Sequence, residues 1–237
     1  MRKQEGVFMD CTDQMLERKE AWVLKNENLL KQGVFVMDIN NTYIDEDCTI
    51  GLGSTIYPNV WIEKGTVIGE NVTILPNSFL SHATIENGVT IDSSKIVDSI
   101  VGENSVVGPM SHLRNHTHIK GDARIGNFVE MKNTNFGLGS KCAHLTYLGD
   151  SDVGEKVNFG CGVVTVNYDG KNKFRTVVGD GAFVGSNVNL IAPVTIGKNA
   201  LLAAGSTINK DVEDGAMAIA RPFQENKPEK GNEYKNK

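Results

Sequence analysis

Aromatic side chains are scarce in this chain: Phe, Trp and Tyr make up 7% of its 237 residues. With so few large rings, the core is expected to be thin and built from aliphatic side chains. Long apolar runs are missing too. None approaches the ~20 residues needed to span a bilayer, so no membrane partner is expected. The opening MRKQEGVFMD has no apolar stretch of the secretory type. No two of the four cysteines, Cys11, Cys48, Cys142 and Cys161, form a C-x-x-C pair. A structural zinc site is therefore not expected, and reduced thiols in a cytoplasm are the simplest reading. Positive charge is in deficit: 24 Lys and Arg stand against 29 Asp and Glu, a formal net charge of −5. Without interleaved basic and aromatic residues, nucleic acid is not an expected partner.

What is present is glycine, 25 residues of it, and an uneven distribution of charge. Residues 1–111 carry 8 basic and 16 acidic side chains, whereas 112–147 carry 5 basic and 2 acidic. That basic window also holds His112, His116, His118 and His144. A basic, His-rich window in an acidic chain points to a small anion, or to a solvated face with chance clustering.

Aliphatic residues recur every six positions. Ile44, Ile50, Ile56, Ile62, Ile68, Ile74 and Leu80 form one run, followed after a slip by Ile85 and Ile91. Val101, Val107, Leu113, Ile119, Ile125 and Met131 form another, followed by Phe136, Cys142, Leu148, Val153 and Phe159. A third run is Val178, Val184, Leu190, Ile196, Leu202 and Ile208. A helical stripe repeats at 3 and 4 and a strand at 2, so six fits neither alone. It predicts an all-β fold, a triangular parallel β-helix in which each hexapeptide gives a short strand and a turn. Residues 12–32 lack the period and are rich in helix formers. They are expected to form a helix capped by Thr12 or Asp13 and stopped by Gly33. The chain therefore divides into a helical segment 1–33, a β-helix 34–215, and a C-terminal arm and flexible tail 216–237.

Three places carry chemistry. The period breaks at Val166–Thr176, VNYDGKNKFRT, where Lys171, Lys173 and Arg175 against Asp169 make a loop of net +2. Such a loop is a candidate phosphate contact or an ordinary solvated turn. His144 in HLTYLGD is a candidate proton acceptor near pH 7, with Tyr147 three residues on. Glu130 and Lys132 in GNFVEMK sit two apart and share a strand face, where a carboxylate can orient an imidazole and an ammonium can bind phosphate.

The strings GNFVEMK, GSKCAHLTYLGD, VNFGCGVVTVNYDGKNKFRTVVGDGAFVGSNVNLIAPVTIG and AAGSTIN resemble the acetyltransferase domain of the bifunctional bacterial glucosamine-1-phosphate acetyltransferase / N-acetylglucosamine-1-phosphate uridylyltransferase. That domain belongs to the hexapeptide-repeat acyltransferases, whose β-helix is left-handed. The resemblance implies transfer of an acetyl group from acetyl-CoA to the 2-amino group of glucosamine 1-phosphate, for UDP-N-acetylglucosamine and cell-envelope synthesis. It implies His144 as the catalytic base, with Glu130 orienting it, and no metal. Arg114, Lys132, Tyr147, Asn158 and Lys173 are implied as sugar-phosphate contacts. Cys161, Asn167, Tyr168, Ser186, Ala204 and Arg221 are implied as acetyl-CoA contacts, and a backbone N–H near Cys161 as the oxyanion donor.

The resemblance also implies a homotrimer. After Arg114 the chain has Asn115-His116 where the family often has Pro-Gly. No L-x-x-G-x-G-T nucleotide motif is present, so uridylyltransferase activity is not expected. A separate uridylyltransferase would then be a partner, or the chain is a fragment. Rival readings are acetylation of another amino sugar or sugar nucleotide, an inactive trimeric scaffold, and a metal hydratase using His82, His112, His116 or His118.

Overall fold

The computed structural model describes residues 11–235. The first ten residues of the expected helical segment lie outside the described residues. Helix α1, Cys11–Lys31, already contains Thr12 and Asp13, so neither caps it as the sequence suggested; Asp13 sits in its first turn. Its end is as expected. Gly33 takes φ 84°, its N–H bonds to Leu30 O at 3.1 Å, and the Val34 N–H bonds to Leu29 O at 3.0 Å. This is a Schellman closure, with Leu29 and Val34 buried together. Trp22 meets Tyr43 and Trp61 edge-on, and Asn26 Nδ2 donates to Ile39 O and Thr42 O, which fastens α1 to the first coil.

From Phe35 to Ala218 the chain winds as a parallel β-helix of about 10 turns, as the period of six predicted. Each coil hydrogen-bonds in parallel to the next. One face is a sheet of 11 strands and the other two join into a network of 17. Most strands are two residues long, typically Thr-Ile or Val-Ile, with the second side chain inward. β-Branched residues suit that half-buried pleat. The inward stack is almost wholly excluded from solvent, from Ile44 through Leu113, Met131 and Phe136 to Leu202.

Polar side chains line the inner corners, and most find partners there; the buried Thr176 hydroxyl does not. Ser140 Oγ donates to Gly154 O at 2.8 Å and accepts from the Val157 N–H at 2.9 Å. The chain turns where Asn and Gly adopt positive φ, for example Asn71 at 54° and Asn199 at 54°. Beyond the last strand, Met217–Ala218, the expected tail includes a short helix, Lys230–Lys235.

The faces are needed to locate the site. The first carries Arg124–Asn127, Lys141–His144, Asn158–Phe159, Phe183–Val184 and Leu201–Leu202. The second carries His112–Arg114, the first halves of Glu130–Phe136 and Tyr147–Val153, and Val164–Val166. The latter two long strands bend onto the third face, which also holds His118–Ile119 and Thr176–Val178. The first corner joins faces one and two, and the second corner joins faces two and three.

Candidate active site

The side chains singled out in the sequence fall into two groups. One lies on the second face and its far corner. Parallel register places Arg114 beside Lys132 and Lys132 beside Gly149, and places His112, Glu130 and Tyr147 in the adjoining row. All point outward because Leu113, Met131 and Leu148, between the rows, point inward. The interrupting loop folds over this end of the face. Its turn is ordered: Asp169 Oδ1 accepts from the Lys171 and Asn172 N–H groups at 2.7 and 2.6 Å, and Tyr168 bridges Lys173 in antiparallel fashion. This brings Lys173 against Lys132. The adjacent Lys173 ammonium, then burial, hold Lys132 below the usual lysine range, and Arg114 adds to this while Asp150 opposes it. Three cations thus meet at one end of an outward face, an arrangement suited to an anion.

In the single chain Glu130 pairs with Arg114 and not with His144. Arg114 donates to Glu130 Oε1 from Nε at 2.8 Å and from Nη2 at 2.7 Å, and no contact joins Glu130 to His144. The strand register explains this, since it pairs Glu130 with Tyr147 and leaves His144 across the first corner. Glu130 therefore aims the guanidinium, whose Nη1 reaches the neighbouring Asn115 Oδ1 at 3.2 Å.

Sequence reasoning missed the centre of this group. Asp150, at the second corner, is 8% exposed. Its Oδ1 accepts from Asn133 Nδ2 at 2.6 Å and its Oδ2 from Asn167 Nδ2 at 2.5 Å. Burial pushes its carboxyl up, but those two amides and the charges of Lys132 and Lys173 outweigh burial and leave it below the usual range. Asn133, Asp150 and Asn167 are each 17 residues apart, one coil, and that spacing was the available signal. Tyr147 crosses the same spot. A Cβ on Gly149 would collide with the Tyr147 ring and with Asn167 Nδ2, so glycine there lets the phenol lie across the face.

The second group runs along the first corner. The Gly162 N–H points to His144 O at 3.4 Å, the Asn187 N–H bonds to Cys161 O at 2.7 Å, and the Gly205 N–H to Ser186 O at 2.8 Å. His144, Cys161, Ser186 and Ala204 therefore form one column, with Arg221 Cδ 3.7 Å from where a Cβ on Gly205 would stand. Gly160 and Gly185 allow this stacking, because a Cβ on either would strike the backbone of Ser186 or Ala204. The His144 imidazole is exposed and makes no hydrogen bond among the described residues. Asn158 lies on the first face beside Lys141 and Phe183. Asn167 and Tyr168, expected with Cys161 and Ser186, stand instead at the second corner.

The cation cluster is an open surface in the single chain. The larger cavities lie elsewhere, one of about 550 Å³ beside α1 at Trp22 and Tyr43. His82, His116 and His118 share a groove of about 440 Å³ with Asp98, while His112 lies on the second face. Among the described residues no three His, Cys, Asp or Glu side chains are arranged to hold a metal ion. No helix among them is long and apolar enough to cross a membrane.

Known proteins resemble the chain over most of its length. Residues 175–210 match the family described as "Bacterial transferase hexapeptide (six repeats)", and residues 38–141 match the "GMPPB C-terminal domain". The "Bifunctional protein GlmU" of Exiguobacterium sp. is 51% identical over 214 residues, 90% of this chain and 48% of that protein. The chain is a hexapeptide-repeat protein homologous to the acetyltransferase part of that relative. A second bifunctional GlmU, from Clostridioides difficile, is 49% identical over 84% of this chain and 43% of its own. The chain spans about half the length of these curated relatives, the acetyltransferase part. The UDP-N-acetylglucosamine acyltransferase from Campylobacter jejuni shares the fold, with a TM-score of 0.56 at 19% identity over 70% of this chain and 71% of that one. The corresponding Arabidopsis enzyme has a TM-score of 0.51 at 16% identity, over 78% and 69%.

Beside the cation cluster, Arg175 anchors the loop. Its Nη2 meets Asp152 Oδ1 at 2.6 Å, its Nε meets Oδ2 at 2.5 Å, and Nη2 also donates to Ser151 O at 3.1 Å. The Arg175 hydrogen bonds hold the Asp152 carboxyl below its usual range. A depressed carboxyl contributes stability above its ordinary value and loses that contribution as pH falls through its folded value. Both groups are over a third exposed, so the pair contributes about 1 kcal/mol or less. Arg175→Ala is expected to lower the urea midpoint slightly at pH 7, with the difference from wild type closing below about pH 4. A difference that persists unchanged at pH 3 would show that Asp152 is not its source.

Proposed function

We propose that this chain transfers an acetyl group from acetyl-CoA to the 2-amino group of glucosamine 1-phosphate. One observation carries the reading: a convergence of Lys132, Lys173 and Arg114 on one outward face, with an uncommitted imidazole, His144, at the corner bounding that face. The relatives' similarity to this half of their length supports it. The lysines suit the phosphate, because the amine to be acetylated is cationic when protonated and would be repelled by them. His144 takes the proton from the amine as its nitrogen attacks the thioester carbonyl. The carbon–sulfur bond breaks, and coenzyme A leaves as its thiol by taking that proton from His144. The Cys161 N–H has no acceptor among the described residues and is the candidate donor to the developing oxyanion. Metal chemistry has no part in this reading.

The acyl carrier would lie along the first corner past Cys161, Ser186 and Ala204 toward Arg221. Asn167 and Tyr168 stand at the other corner, so they reach the same carrier only from a second copy. A homotrimer in a cytoplasm, with exposed Phe128, Leu145, Phe183 and Leu201 at its contacts, follows from this reading. Free-thiol release from acetyl-CoA with a panel of amino sugars tests it. The expected result is efficient turnover of glucosamine 1-phosphate and poor turnover of glucosamine. Equal turnover of both, or a monomer by light scattering at micromolar concentration, would overturn it.

A further inference from the structure

Asp150 is a carboxylate beside a site read above as binding an anion, and its sign is wrong for that task. Its surroundings show what it does instead. Lys132 lies on the rigid second face, whereas Lys173 rides on the loop, and the two ammonium groups approach closely although they repel. Asp150 faces both. It cannot turn away, because Asn133 Nδ2 and Asn167 Nδ2 each hold one of its oxygens. Asn167 is also the root of the loop, where its carbonyl accepts from the Phe174 N–H at 2.9 Å. Asp150 thus touches the fixed face through Asn133, the loop through Asn167, and both cations through charge. Asp150 itself has φ 49° and Asn133 also has φ 49°, a left-handed conformation that places the two side chains on consecutive coils of one corner.

We propose that Asp150 is the positioning residue of the anion pocket: its buried carboxylate holds Lys132 and Lys173 at one point and fixes the root of the Lys173 loop, so an incoming phosphate meets a formed pair of ammonium groups. This rests on the phosphate reading of the two lysines. It makes a prediction opposite in sign to bare charge. Removing an anion from beside an anion site raises the local positive potential, and by charge alone phosphate should bind more tightly. If Asp150 instead organises the pocket, its loss lets Lys173 move away, and phosphate binds more weakly.

The experiment compares wild type and Asp150→Asn in the full chain, by binding of inorganic phosphate and by steady-state kinetics. Thermal melting checks the fold. Inorganic phosphate is expected to bind about tenfold more weakly. KM for glucosamine 1-phosphate is expected to rise about as much, with kcat falling less than KM rises and KM for acetyl-CoA unchanged. In a Lys173→Ala background the further effect of Asp150→Asn should largely vanish, which a general loss of stability would not produce. Phosphate binding equal to or tighter than wild type in a folded variant overturns the proposal. Should Asp150→Asn fail to fold, Asp150→Glu decides. It keeps the charge but displaces it, so weaker phosphate binding supports positioning and unchanged binding refutes it. Phosphate binding needs no turnover. If wild type binds phosphate but does not acetylate glucosamine 1-phosphate, the function reading fails while the role of Asp150 is still measured.

Discussion

Replacing His144 by alanine is expected to lower kcat for acetyl transfer by about 10²–10⁴-fold, the usual loss when a positioned general base is removed. The structure makes the variant readable. The imidazole is exposed at the first corner and holds up nothing: what the chain uses of His144 is its carbonyl, which accepts from Thr146 Oγ1 at 2.7 Å. Alanine keeps that carbonyl, so the melting temperature should stay within a degree or two. Acetyl-CoA binding should also stay close to normal, since the corner column of Cys161, Ser186 and Ala204 is built from backbone bonds that alanine does not touch. An unchanged kcat at neutral pH would remove His144 from the reaction and leave an amine that enters already deprotonated.

Much of the fold was legible because one physical demand recurs every six residues. Ile56, Ile74, Leu113, Ile125 and Leu190 are each fully buried where the period placed them. The two places where the period was hard to follow have physical explanations. Ile96 fills the inward position between Ile91 and Val101, but the spacing there is five, so it escaped the count. Just before the interruption the inward position belongs to Thr165, which is not aliphatic. It stacks between Leu148 and Leu190, and its hydroxyl accepts from the Gly149 N–H at 2.8 Å. Corners with Asn at positive φ were readable from composition. Phe128 at 55° and Leu145 at 43° were not, because bulky residues seldom adopt that conformation.

The candidate site was legible in membership more than in arrangement. The strings that resemble the acetyltransferase domain named the residues, and the coil length of 17 or 18 would by itself have aligned Arg114 with Lys132. What the sequence could not show is which corner each residue occupies, since that depends on counting through every slip in the period. Hence Glu130 was expected beside His144, whereas in the single chain it lies across the first corner from it and holds Arg114. Hence also the acetyl-CoA residues divide, with Ser186 and Ala204 on one corner and Asn167 on the other. Asp150 escaped notice because an Asp in a turn-rich string reads as a turn residue. Only the packing of three coils shows it buried between two amides.

Lys132→Ala is expected to raise KM for glucosamine 1-phosphate by roughly 10–100-fold, with a much smaller change for unphosphorylated glucosamine. A charge-assisted contact to phosphate contributes about 1.5–3 kcal/mol, which converts to about 10–150-fold. The close approach of Lys173 moves the expected value toward the lower part of that range. In the free protein the two ammonium groups repel, and removing Lys132 relieves a repulsion that phosphate would otherwise relieve on binding. Arg114→Ala should have the smaller effect. Its guanidinium already spends Nε and Nη2 on Glu130 and Nη1 on Asn115, so it brings less unpaired donor capacity to a ligand. The measurement is a pair of KM values for each variant, with the phosphorylated and the unphosphorylated sugar, at fixed saturating acetyl-CoA. If Lys132→Ala loses activity equally with both sugars, the lysine supports the face and does not read phosphate. The basic window between 112 and 147 would then be a solvated surface, and the acceptor would have to be sought among amino sugars that carry no phosphate.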